Sequence, residues 1–470
     1  MNRREFLSAV SAFGLTTTAA QFRASWQAGV ASIDITPDRS LWMAGFALRK
    51  QAAQGTALPL LAKALALKSP AGSTAVLVTM DLLGITATIS AQVSSVVRRR
   101  HGIRRSNLVF NASHTHCGPI VDEQLSVAYD LSPGQWGDIR AYTRQLELKL
   151  STVVGDAVSR LRPAAVSYGH DEAGFGANRR VAFNPQGPVD PSVPVLRVDT
   201  PAGEPLAVVF GYACHNTTLQ HDFVQYHGDY AGVAQAVLEE RHPGMAALFV
   251  AGCGADVNPM PRGTLELVQR YGAALADAVD RGMTATRSID PPLRTAYAIV
   301  DIPFADETAR ARWRRQLKIE EVYLQRHAAL MQATLARDGR LPAVQPYPVQ
   351  VWRFGPKAQA GASNGRTGHP SAASMRASSD SGLTLVALGG EVVVDYALRL
   401  MREYPQRQLW VSGYSNDVFG YVPSQRVLRE GGYEGGDAMI YYGRPGPFAA
   451  GVESRIVSGV HQLIRTVDLR

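Results

Sequence analysis

The chain has 470 residues, enough for two or three ordinary domains or for one large domain with insertions. Hydrophobic residues make up 46% and charged residues 19%, which excludes wholesale disorder, and the 43 glycines have no three-residue period, which excludes a collagen-like fibre. The formal charge of +8 is scattered rather than clustered, so nucleic acid is not implied. Apolar runs stay below the roughly 18 residues a membrane-spanning helix needs, and 3 cysteines are too few for a disulfide scaffold.

The chain opens Met1-Asn2-Arg3-Arg4-Glu5-Phe6-Leu7 and continues into a weakly apolar stretch, Phe6 to Ala20, that ends in small residues. This resembles a bacterial twin-arginine export signal. Residues 1–25 are therefore expected to be a cleaved leader and the mature protein to be periplasmic or secreted. An ordinary basic N-terminus is the alternative.

Short runs rich in Val, Leu and Ile, bounded by Pro, Gly or Ser, predict strands at Ala31–Thr36, Leu60–Leu67, Ala75–Met80 and Leu108–Ala112, with a helix at Ile89–Arg100 between the last two. A long amphipathic helix is predicted over Ile139–Leu161, ending before Pro163. Strands follow at Val193–Val198, Leu206–Ala213 and Leu248–Val250, then a helix whose apolar stripe is Leu267, Tyr271, Leu275 and Val279. Residues 306–338 read as a charged, solvated surface helix. Val349–Phe354 and Leu383–Leu388 read as a strand pair, and the Gly-, Ser- and Ala-rich stretch between them (355–382) as a mobile insertion in the hairpin. Val392–Arg402 reads as a helix, Leu409–Ser412 as a last strand and Glu453–Leu463 as a closing helix. The alternation predicts an α/β fold: one large, mixed, sandwich-type domain over 26–470 with helices packed around β-sheets.

There is no Gly-x-Ser-x-Gly elbow, no Gly-x-x-x-x-Gly-Lys loop and no Cys-x-x-Cys, so the common serine-hydrolase, nucleotide and redox readings lack local support. The placement of the histidines points elsewhere. Only 11 occur, yet several sit where predicted strands end. In Asn111-Ala112-Ser113-His114-Thr115-His116-Cys117-Gly118-Pro119, residues two apart on an extended chain share a face, so His114 and His116 can enter one cleft while Cys117 points away. His215, in Cys214-His215-Asn216-Thr217, repeats the arrangement after Leu206–Ala213. Asp229, in His227-Gly228-Asp229-Tyr230-Ala231-Gly232, reads as a helix N-cap, and His221 and His227 read as surface loop residues. Glu391 follows a buried strand and two glycines, where a cation would satisfy it; an exposed carboxylate on a helix N-terminus is the alternative. Tyr421 and Tyr433 lie in glycine-rich loops, where tyrosine contacts a ligand or packs a turn. Asp81 and Asp256 could orient metal-binding histidines or serve as caps. The three cysteines are expected to be packed thiols.

Taken together, NASHTHCGP, GYACHNTTL with HGDYAG, GCGADVNP, LGGEVVVDY, and GYVPSQRV with YEGGDAMIYYG resemble the catalytic domain of the neutral/alkaline non-lysosomal ceramidase family, over about residues 28 to 450. The resemblance implies one zinc ion held by His114, His215, Glu391 and Tyr421, with His116, Arg179 and Tyr433 on the substrate side. It implies an amide hydrolase that splits ceramide into a sphingoid base and a fatty acid. The spacing of Tyr421 and Tyr433 is the family's. Three features depart from it. Asn258 stands where the family carries a serine considered as a nucleophile; the family's C-terminal β-sandwich domain is not expected here; and the 355–382 insertion is not a family feature. The expected partner is a small-molecule or lipid substrate, with transient contact with a membrane surface but no transmembrane segment and no nucleic acid. Alternatives are a zinc hydrolase of another amide, an ester or a lactone, and a non-catalytic exported binding protein.

Overall fold

Which way the strand residues point sets the layering. The computed structural model describes residues 26–70, 72, 74–305, 321–356 and 380–469. The expected leader, the first part of the charged 306–338 segment and most of the 355–382 insertion lie outside them. In β2 (Leu61–Lys68), Ala62, Ala64 and Ala66 face one side and Leu65 and Leu67 the other. The alanine side packs, with β1 (Trp26–Asp34), β3 (Ala75–Met80) and β4 (Leu108–Ala112), against α1 (Ala87–His101) and α2 (Pro133–Ser159). Small residues let the helix come close: a Cβ on Gly29 of β1 would lie 2.2 Å from the carbonyl oxygen of Ala157. The leucine side faces a second sheet, meeting Trp352, Phe354, Leu385 and Trp410.

Among the described residues the first sheet has nine strands. Along the order β4-β3-β2-β1 it continues into β5 (Arg162–Glu172), β7 (Ser192–Asp199), β8 (Pro205–Tyr212) and β9 (Ala246–Ala251), with β11 (Arg287–Ser288) added to β5. The short β6 (Gly176–Asn178) and β10 (Val257–Pro259) pair with each other. α3 (Asp229–Arg241) and α4 (Leu265–Thr284) cover β7–β9, with Tyr271, Leu275 and Val279 of the expected stripe buried. The sheet edges approach each other, and the Ala251 amide donates to Asn111 Oδ1 on β4 at 2.8 Å. The second sheet runs β12 (Leu293–Pro303), β13 (Val344–Phe354), β14 (Leu383–Leu388) and β16 (Gln408–Ser412). Its far face is covered by the helices Asp395–Glu403 and Val452–Leu469. The fold is thus mixed α/β with helices outside two facing sheets, as expected from the sequence.

Several boundaries differ, for local reasons. α2 begins at Pro133, not Ile139, because Ser132 and Gln135 form a reciprocal capping box before it. Ser132→Ala removes the cap and is expected to lower stability by about 1 kcal/mol, read as a shift of the urea midpoint. The predicted helix at Val392 begins only at Asp395, because β15 (Glu391–Val392) pairs in parallel with β17 (Tyr421–Val422). In the charged segment, Val322–Asp338 is helical but not merely solvated: His327, Ala328 and Met331 are buried. The 355–382 excursion leaves from a hairpin stem, with Phe354 paired to Leu383.

Candidate functional site

The loops leaving β4, β8 and β14 converge with β17. His114 follows β4 with φ at 63°, a strained backbone for a residue with a side chain, and its amide donates to the Leu82 carbonyl at 2.9 Å. His215 follows β8 and is held by its amide on the Val257 carbonyl at 2.9 Å. Glu391 lies on β15 opposite Tyr421 on β17, after Gly390, whose φ is 72°. All four side chains are buried.

The ring nitrogens explain the gathering. His114 Nδ1 meets the Leu83 carbonyl at 2.7 Å and His215 Nδ1 the Gly254 carbonyl at 2.9 Å. Carbonyls only accept, so both rings carry their proton on Nδ1 and turn a lone pair inward from Nε2. These lone pairs face Glu391 Oε2 at 3.1 and 3.2 Å, and His215 Nε2 lies 3.3 Å from the Tyr421 oxygen. Burial first, then the neighbouring Arg179, pulls the His215 imidazole down to about 4, which keeps it neutral. Burial alone would raise the Glu391 carboxyl, but His114 and His215 outweigh it and hold it well below the usual range. Two inward-facing imidazole nitrogens and a buried carboxylate oxygen thus meet at one point. A cation satisfies such a set, and zinc fits: a tetrahedral ion with bonds of about 2.0 Å separates its ligand atoms by about 3.3 Å.

His116 differs. Its Nε2 lies 3.3 Å from His114 Nε2, and nitrogens of His114, His116 and His215 all fall within 4.8 Å, so these three also form a group that could hold an ion. However, its Nδ1 is buried with no partner among the described residues, where a metal-bound histidine normally donates. The ring is wedged between Phe46, at 4.6 Å between centroids, and Gly45. Gly45 has φ of 100°, and a Cβ there would lie 2.3 Å from His116 Nδ1. Behind it, the buried Arg49 donates to the carbonyls of Ala44 and His116 at 2.9 and 2.5 Å.

Arg179 sits on the other flank. Its Nε donates to Glu434 at 2.6 Å, Nη1 to Asn258 Oδ1 at 3.3 Å and Nη2 to the Tyr421 oxygen at 3.0 Å. It is thus turned toward Tyr421 rather than toward open space. Burial raises the Tyr421 phenol and Arg179 opposes that. Tyr433 packs on Tyr421 at 5.2 Å between ring centroids and is 44% exposed. A cavity of about 170 Å³ opens on Glu391, His116, Tyr421 and Tyr433, with Phe46 and Leu83 among its apolar walls.

The seven residues singled out in the sequence therefore meet in one place, but their supports differ from expectation. Asp81 accepts from the Leu61 amide and Gln235, and Asp256 from Asn178 and the Val394 amide; neither touches a histidine of the cluster. Main-chain carbonyls orient the rings instead. Asp229 is the first residue of α3, not its cap, which is Gly228; its carboxylate accepts from the Leu219 and Tyr230 amides. His227 is buried, its carbonyl accepting from Thr115, while His221 is exposed as expected. Cys117, Cys214 and Cys253 are free buried thiols. One contact was not foreseen: the Tyr442 hydroxyl donates to Glu391 Oε1, leaving Oε2 to the histidines. Its only sequence signal is a second tyrosine in the glycine-rich Tyr441-Tyr442-Gly443 turn.

Residues 26–259 match the family model described as neutral/alkaline non-lysosomal ceramidase, N-terminal. Neutral ceramidase from Pseudomonas aeruginosa has a similar solved structure, with a TM-score of 0.70 at 16% identity over 95% of this chain and 75% of that one. A structure of ceramidase complexed with C2 gives 0.69, with the same identity and coverage. No curated protein matches by sequence.

Proposed function

We propose, from the match of residues 26–259 to the neutral/alkaline non-lysosomal ceramidase family model, that this chain is a zinc-dependent amidase that hydrolyses N-acyl sphingoid lipids to a sphingoid base and a carboxylic acid. The observation that carries this reading is the buried, acceptor-only meeting of His114, His215 and Glu391, closed by Tyr421. One ion would be held by those four side chains. When bound, zinc supplies Lewis acidity, polarising a carbonyl and acidifying water.

The protein's own groups supply the rest. His116 borders the cavity with an untethered imidazole; its Nε2 is suited to carry a proton to the leaving amine. Tyr433, at the cavity and half open to solvent, can donate its phenolic proton to the oxygen of the scissile carbonyl as charge builds there. Arg179 acts through Tyr421, fixing the phenolic oxygen with Nη2, while Glu434 and Asn258 hold the guanidinium in place. Asn258 presents an amide, not a hydroxyl, so no covalent route runs through that position. Phe46 and Leu83 give the cavity an apolar lining beside the place of the reacting carbonyl.

Metal analysis together with hydrolysis of a fluorescent short-chain N-acylsphingosine tests the reading. Bound zinc with turnover supports it. Bound zinc without turnover favours another amide, an ester or a lactone, and no metal retained after zinc addition favours a binding protein. Tyr433→Phe is expected to keep the metal and to lower kcat by about 10²–10³, since it removes one oxyanion donor. Export of the mature enzyme rests on the Arg3-Arg4 leader alone. Fractionation that finds only uncleaved chain in the cytosol would refute it.

A further inference from the structure

Resting on the amidase reading, we propose that the enclosed part of the site holds only a short acyl segment, so that added chain length stops improving turnover after a few carbons and the rest of a longer chain lies outside. The cavity measures about 170 Å³, below the roughly 300–1,000 Å³ of pockets that enclose whole drug-sized ligands. It also has little room to grow. Glu391 and His116 close it on the reacting side. Leu83, Leu125, Ala128 and Tyr441 line it, and all four belong to one packed apolar cluster built around Ile120, Tyr129 and Ile139. The segment bearing Leu125 is held in an unusual backbone, with φ of 58° at Leu125 and 53° at Asp122, and the Ala128 amide donates to the Leu125 carbonyl at 2.9 Å. A wall so constrained does not slide aside as a lone rotamer would. The exposed lining residues are Leu48, at 64%, and Tyr433, at 44%, which mark the way out to solvent.

The test is a ladder of N-acylsphingosines, from acetyl through butanoyl and octanoyl to hexadecanoyl, presented to the zinc-loaded protein in one fixed detergent. While methylenes are still being buried, kcat/KM is expected to rise by about fourfold for each. That rise should hold from acetyl to butanoyl and then stop, with octanoyl and hexadecanoyl no better. A rise that continues to hexadecanoyl overturns the proposal and leaves the amidase reading standing. Failure to cleave any rung overturns both.

Two variants test the wall itself. Leu125→Gly puts glycine where its left-handed backbone is favoured and removes the side chain that closes the pocket. It should raise the octanoyl-to-butanoyl ratio of kcat/KM by about tenfold. Ala128→Leu fills the same space and should lower the butanoyl-to-acetyl ratio. If both ratios stay at the wild-type values in folded, zinc-loaded protein, the wall assignment is wrong.

Discussion

Replacing His215 by alanine is expected to remove bound metal and hydrolysis together. The imidazole is fully buried, and its Nε2 touches both the Glu391 carboxylate and the Tyr421 oxygen, at 3.2 and 3.3 Å. Its other nitrogen is committed to the Gly254 carbonyl, which fixes the ring with Nε2 turned inward. Removing the ring leaves His114 as the one imidazole at Glu391 Oε2, and a site that has lost a ligand holds a divalent cation poorly. Losing even an outer partner of a metal ligand costs about 10–100-fold in affinity, and losing the ligand itself should exceed that. Equilibrium dialysis against zinc, with metal analysis of the dialysed protein, measures the affinity. Hydrolysis should fall in step with occupancy. Full zinc occupancy in the variant would remove His215 from the ligand set, leaving the group His114, His116 and Glu391 to be tested in its place.

Asp380→Ala is expected to destabilise the fold by about 3–5 kcal/mol, because it leaves a buried charge unpaired. Arg353 of β13 is fully buried. Its two terminal nitrogens grip the Asp380 carboxylate at 2.7 and 2.5 Å, and the guanidinium also donates to the Pro356 carbonyl at 2.8 Å. Asp380 in turn accepts from the Gly382 amide at 3.0 Å, so the pair ties the two ends of the 355–382 excursion to its stem. The spacing there is close: a Cβ on Gly382 would lie 2.3 Å from the Phe354 carbonyl oxygen. Urea unfolding followed by circular dichroism reads the change. Arg353→Met combined with Asp380→Leu should recover most of the loss, since replacing both charges by apolar groups removes the desolvation penalty. If the single variant unfolds at the wild-type urea concentration, the clamp contributes little.

The outcome at His114 and His116 shows how a correct expectation can rest on an incomplete reason. Two imidazoles two residues apart were expected to share a face because an extended strand alternates. They do converge, with Nε2 atoms 3.3 Å apart, but His114 lies at φ of 63° and is no longer extended. The turn of the backbone and the Leu83 carbonyl aim the ring. The orienting groups were missed for a related reason. Carboxylates such as Asp81 and Asp256 stand out in a sequence by residue identity, whereas the carbonyls of Leu83 and Gly254 do not. The Tyr442 contact with Glu391 spans 51 positions, and a second tyrosine beside Gly443 is too weak a local signal to reveal it.

The order of residue types along the chain was sufficient to set the strand and helix alternation, the placing of histidines at strand ends, and the resemblance that names the ligand candidates. These properties depend on neighbours a few positions apart, where side-chain period and steric preference act directly. The tertiary structure alone decided that Glu391 and Tyr421 stand side by side, since their strands pair across a gap of 30 residues. It also decided which ring nitrogens face inward, that Arg179 turns to Tyr421, and how little space lies beside His116. Those features are set by long-range hydrogen bonds and close packing between distant segments, and such contacts leave no trace in the local order of residues.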